Sequence, residues 1–164
     1  MAVIYTTNSI YSEIKSYENV INYAANLTKT QGYIGGSSRD LYDPATAIRR
    51  MKDVYKTYRL MYDKDISKLV HYYISFPQHV TADKDYIIIE MLKELCSIVG
   101  REYQCFWGLH LLNPNPNSTD AVHIHFVVNR ISYIDGKYMT NEQMMSVKPL
   151  MHQLIEDYGI EQEE

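Results

Sequence analysis

Apolar side chains recur at helical spacing over residues 12–27, where Ile10, Ile14, Tyr17, Val20, Ile21, Ala24 and Leu27 share one side at 100° per residue. Tyr23 falls roughly 130° from the centre of that stripe, among Asn19, Asn22 and Asn26, so its phenol is free for chemistry or stacking. Gly32, Gly35 and Gly36 mark a flexible turn. Asp43 followed by Pro44 then starts a second helix that runs to about residue 60. Ile48, Met51, Val54, Tyr55 and Tyr58 form its inner face, and Arg49, Lys52, Lys56 and Arg59 recur along a neighbouring one.

The period changes to two further along. Residues 69–76 are rich in β-branched and aromatic side chains and read as a strand ended by Pro77. Thr81 caps a helix that continues to Val99 and stops at Gly100. Two strand-like runs follow, one ending at His110 and the other containing His123 and His125. Prolines and asparagines between residues 113 and 120 specify a loop between them. Asp135 and Gly136 supply a tight turn. A last helical region, broken or begun near Pro149, carries Leu150, Met151, Leu154, Ile155 and Tyr158. Strand, helix, strand, strand, helix predicts an α+β fold in one domain, residues 1–160: an antiparallel sheet with helices packed on one face and the other face open. Residues 161–164 read as an acidic, solvated and disordered tail.

Composition narrows the class. At 164 residues, with 46% hydrophobic and 22% charged residues, the chain can bury a core. No apolar run approaches the ~20 residues that cross a bilayer, and the N-terminus has no signal-peptide pattern, which predicts a cytoplasmic protein. Cys96 and Cys105 lack the spacing of a zinc or redox motif and read as reduced packing residues. The net charge of −4 is unlike the basic footprint of most nucleic-acid-binding domains, but the basic helical stripe is suited to tracking a phosphate backbone. Sixteen tyrosines against three phenylalanines reflect either compositional bias or rings available to stack on single-stranded bases.

The candidate chemistry lies in Asp120-Ala-Val-His-Ile-His-Phe-Val-Val-Asn129. Alternate strand residues share a face, so His123 and His125 project together. A hairpin that pairs the two histidine runs brings His110 beside them. Three imidazoles suit a divalent metal, although histidines on half-buried strands also serve simply as packing residues.

These segments resemble the relaxases, plasmid mobilisation nucleases of the HUH endonuclease superfamily, named for two histidines flanking a hydrophobic residue. His123-Ile-His125 is similar to that motif, and the Tyr-x-Asp-Gly-Lys turn ending at Lys137 continues it. Val20-Ile-Asn-Tyr-Ala-Ala-Asn-Leu-Thr-Lys-Thr30 resembles the N-terminal motif, with Tyr23 in the tyrosine position, and His71-Tyr-Tyr-Ile-Ser-Phe76 resembles a His-x-x-x-Ser-Phe strand. The resemblance implies that His110, His123 and His125 hold Mn²⁺ or Mg²⁺ and that Tyr23 is the nucleophile. It also implies a 5′-phosphotyrosyl product at a nicked single-stranded transfer origin, with accessory mobilisation proteins as possible partners. An all-imidazole donor set also suits Zn²⁺ or Ni²⁺. The family commonly has an Asp two residues after its first metal-site histidine. This chain has Leu112 there, so Asp120 is the substitute, orienting an imidazole or taking the tyrosine's proton. Lys29, His71, Asn129 and Arg130 are expected to contact DNA together with the basic stripe. A superfamily replication initiator or transposase would instead use a tyrosine after the histidines, here Tyr158, and a degenerate module would bind single strands without cutting.

Overall fold

The structure is a computed structural model that describes residues 1–7, 10–31, 33–63, 65–111 and 121–163. Its centre is a sheet of β1 (Val3–Thr6), β2 (Ile34–Gly36), β3 (Leu69–Ser75), β4 (Cys105–His110) and β5 (His123–Asn129). The order is β1-β3-β5-β4-β2, and every neighbouring pair is antiparallel. The helices are α1 (Lys15–Ala25), the short α2 (Leu27–Thr30), α3 (Pro44–Tyr58), α4 (Asp85–Val99) and α5 (Asn141–Asp157). The expected α+β class with an antiparallel sheet is present.

Helices lie on both faces, however, and not on one. Ile88, Leu92 and Leu95 of α4 and Met151 and Leu154 of α5 pack against Tyr72, Ile74, Ile124 and Phe126. On the other face, Tyr17, Val20, Ile21 and Ala24 of α1 and Ala47 and Met51 of α3 close over Leu69, Phe106 and Val127. Among the described residues, the part of this second face towards β1 and the histidines carries an open cleft. Alternation along β5 sends Ile124, Phe126 and Val128 to one core and Val127 to the other, with the neighbouring odd positions on the same side as Val127.

Other differences have local causes. The two edge strands were not foreseen, because β1 has four residues and β2 three, too short for a clear period. Gly35 and Gly36 belong to β2 and not to a flexible turn. A Cβ on Gly35 would lie 2.5 Å from the Trp107 ring, so glycine is there for close packing. Helix α1 begins at Lys15, which leaves Ile10 and Ile14 exposed. The side chain of Leu27 lies outside the described residues. Helix α5 starts from a capping box at Thr140 and runs through Pro149. The Tyr72 hydroxyl donates to the Met144 carbonyl, next to the carbonyl that Pro149 leaves without a helical donor. Glu161, read as part of a solvated tail, accepts a hydrogen bond from His79 through its carbonyl, and its carboxylate lies 3.9 Å from the Met1 amine.

Asn129 and Arg130, expected at the DNA surface, are interior braces. Asn129 is fully buried; it accepts from the Tyr17 hydroxyl at 2.9 Å and donates to Gln104 at 3.0 Å, tying α1 to the end of β5. Arg130 donates to the Met139 carbonyl and to Asn141, with its guanidinium over the Tyr138 ring. Tyr17→Phe should therefore lower unfolding stability by about 1 kcal/mol, the usual cost of a buried hydrogen bond lost from one side. Urea denaturation of the two proteins would measure it, and an unchanged midpoint would remove this brace from the account.

Candidate metal centre

His110 ends β4 opposite His123, which begins β5, and His125 lies opposite Gly108. Ring centroids are 4.4 Å apart for His110 and His125, 4.7 Å for His110 and His123, and 5.2 Å for His123 and His125. One ring nitrogen from each lies within 4.8 Å of the others. His110 and His125 are buried, while His123 is at the rim.

Each imidazole already has one nitrogen engaged. His110 Nε2 donates to the Ala24 carbonyl at 2.9 Å, and His123 Nδ1 donates to the Ala121 carbonyl at 2.8 Å, since a carbonyl can only accept. His125 Nδ1 lies 2.7 Å from His71 Nε2. In the neutral rings this places the lone pairs on Nδ1 of His110 and Nε2 of His123, and leaves Nε2 of His125 for the cluster. His110 Nδ1 is buried with no hydrogen-bond partner, an unsatisfied acceptor that a cation would satisfy. The donor set fits a divalent ion, with the second nitrogen of each ligand fixing its tautomer.

Burial is the main cause that keeps these rings neutral. It pushes His110 and His71 down to about 4 and His125 down to about 2, with neighbouring imidazoles adding to the effect. The Lys29 ammonium contributes to the lowering for His110 and His125, so this cation stands near the cluster. His71 is only 5% exposed and holds His125, a different place from the DNA contact expected of it.

Helix α1 completes the arrangement. A Cβ on Gly108 would lie 1.9 Å from the Ala24 carbonyl oxygen, so only glycine lets α1 settle this close to β4. The last carbonyls of a helix lack helical donors, and here two of them find donors outside the helix. The Thr30 hydroxyl donates to Ala25, and His110 donates to Ala24. One turn-neighbour away, Tyr23 is 57% exposed and presents its ring edge-on to His125, 5.0 Å between centroids.

The basic stripe lies elsewhere. Asn22 and Asn26 line a groove between α1 and α3, together with Lys52, while Asn19, Val20 and Tyr23 line a separate cleft over the histidines. Helix α1 thus stands between the stripe and the cluster. Arg49, Lys56 and Arg59 are exposed, and Lys52 is 4.0 Å from Glu18. Tyr158 is on the opposite side of the sheet, bonded to Glu94 of α4. Asp120 and Leu112 lie outside the described residues. Tyr5 and Tyr73 on the open face were missed. The signal for Tyr73 was its two-residue offset from His71, whereas Tyr5 required β1 to be recognised.

The family model for relaxases, described as MobA/VirD2-like, nuclease domain, matches residues 23–160. The chain belongs to the relaxase family. The match includes Tyr23 and all three clustered histidines. No curated protein gives a significant match. No helix among the described residues of the relaxase is long and apolar enough to cross a membrane.

Two outcomes follow from this geometry. In the unfolded chain the imidazoles protonate near pH 6.5, whereas in the fold they resist protonation until about pH 4 or below. The stabilisation is therefore complete above pH 6.5 and lost as the pH falls towards 4. The metal-free relaxase should lose urea resistance across that window, and His125→Gln should flatten the loss; an equally steep variant would refute the assignment. Gly108→Ala should lift α1 and weaken Mn²⁺ binding by about tenfold or more, in line with disturbed outer-shell support. Calorimetry on the folded variant checks this, and wild-type affinity would show that the close approach is dispensable.

Proposed function

We propose that this relaxase nicks and rejoins one strand of DNA at a transfer origin through Tyr23, starting conjugative transfer of a plasmid or mobile element. The observation that carries the reading is an exposed tyrosine set against a cluster of three imidazoles, two of them buried. His110, His123 and His125 would hold Mn²⁺ or Mg²⁺, which supplies charge neutralisation at a non-bridging oxygen of the scissile phosphate.

The chain's own residues do the rest. The Tyr23 oxygen attacks phosphorus, its bond to phosphorus forms, and the bond from phosphorus to the 3′ oxygen breaks. The products are a 5′-phosphotyrosine and a free 3′-hydroxyl. Because the phosphodiester is kept as a covalent ester, attack by a 3′-hydroxyl restores the strand. Asp120 is proposed to accept the phenolic proton or to orient an imidazole. His71 keeps His125 in its tautomer. Lys29 pairs with a phosphate beside the cut, and Arg49, Lys52, Lys56 and Arg59 follow the backbone farther out, beyond α1. Partners of this reading are the single-stranded origin and accessory mobilisation proteins.

A superfamily enzyme using a C-terminal tyrosine is disfavoured, because Tyr158 faces α4 across the sheet from the histidines. A pool of single-stranded oligonucleotides with Mn²⁺ tests the proposal by denaturing electrophoresis. Wild type and Tyr158→Phe should form a covalent adduct, Tyr23→Phe should form none, and Asp120→Ala should form much less while still binding Mn²⁺. His123→Ala combined with His125→Ala should lose both the adduct and calorimetric Mn²⁺ binding. An adduct that persists in Tyr23→Phe would overturn the assignment, and DNA binding by wild type with no adduct would favour a non-catalytic module.

A further inference from the structure

Beside Tyr23 the open face holds a cleft of about 400 Å³, between α1 and the β1–β3 edge of the sheet. Its floor is a row of rings that leads to the metal cluster. Tyr5 and Tyr73 are register partners with centroids 4.9 Å apart, and Tyr73 is in turn the register partner of His125. The Tyr73 ring also stacks on His123, 5.0 Å between centroids and 28° between planes. Tyr23 forms part of the wall, and another boundary is polar: the Thr7 and Tyr11 hydroxyls are hydrogen-bonded at 2.7 Å, and Asn19 reaches in from α1.

The chemistry of this cleft differs from that of the cluster beside it. Among the described residues, no Lys, Arg, Asp or Glu lines it. A phosphate asks for cations or a set of N–H donors, and this cleft offers flat aromatic faces with a few neutral hydroxyl and amide groups. Such a lining fits a planar, uncharged ligand with hydrogen-bonding edges. Strand spacing sets the reach: Tyr73 is one strand from His125 and Tyr5 two, so ~5 and ~10 Å along the sheet. A nucleotide whose phosphate rests at the histidines can therefore lay its base on these rings.

We infer that the Tyr5–Tyr73 cleft is a base-stacking subsite for the nucleotide next to the scissile phosphate. This rests on the proposed single-strand nuclease function and deepens it, since the subsite seats the phosphate by gripping its neighbouring base. Tyr5 is the informative position, because it is 45% exposed and is two strands away from the metal ligands. Tyr73, which stacks on His123, also affects the cluster.

The test is fluorescence anisotropy with labelled dT12 and with an abasic 12-mer of the same backbone, in EDTA so that binding is read apart from cleavage. Wild type should prefer dT12. Tyr5→Ala should bind dT12 about 5- to 100-fold more weakly and lose the preference, as expected for one stacked base, while Tyr5→Phe keeps it. Thermal melting and Mn²⁺ calorimetry of Tyr5→Ala should match wild type. Equal binding of the two oligonucleotides by wild type, or unchanged dT12 affinity in folded Tyr5→Ala, would overturn the subsite and leave the nuclease reading intact. Failure of wild type to bind either oligonucleotide would overturn the nuclease reading, and the subsite with it.

Discussion

The close approach of α1 to β4 at Gly108 is the contact on which the rest of the site depends. A side chain there would meet the Ala24 carbonyl, and the helix would stand away from the sheet. With glycine, that carbonyl reaches His110 and fixes which of its nitrogens carries the proton. The same contact sets the height of Tyr23 above His125. It also aims the carbonyl end of the α1 dipole towards the imidazoles, where partial negative charge favours a cation. One missing methyl group thus links the tautomer of His110, the electrostatics of the cluster and the position of Tyr23.

The two faces of the sheet divide stability from chemistry. Under α4 and α5 the core is almost entirely apolar, and its residues alternate along β3, β4 and β5 as close packing requires. Under α1 the interior accepts His71, His110, His125 and Asn129, each buried among neighbours that supply hydrogen bonds. Burying polar groups in this way costs stability unless they are paired. Among these four residues, His110 leaves its Nδ1 without a partner, and this local departure from the rules of packing coincides with the candidate metal centre.

Hydrogen bonding also orders the site in depth. His71 lies behind His125, Ala121 holds His123, and Ala24 holds His110, so the lone pairs converge without a carboxylate among the described residues of the cluster. Neutral ligands leave the positive charge of a bound cation undiminished, which suits contact with a phosphate oxygen. Lys29 adds to the positive field on the cluster, and the uncharged tyrosine cleft lies over the β1–β3 edge.

Much of this was legible in the chain. Period-two spacing alone puts His123 and His125 on one face. The Asp43-Pro44 start of α3 is a local signal, and the off-stripe angle of Tyr23 follows from helical geometry. The motif resemblance added the order of parts. These are properties of a few neighbouring residues, so they survive without knowledge of the fold. The short edge strands, the second helical layer, the burial of Asn129 and Arg130 and the partnership of His71 with His125 were decided only by the tertiary structure. Each depends on residues far apart in sequence, such as Ala24 and His110, 86 positions apart, or on the strand order that sets Tyr5 beside Tyr73. Local periodicity determines which way a side chain points from its own element, and packing between elements determines what it meets there.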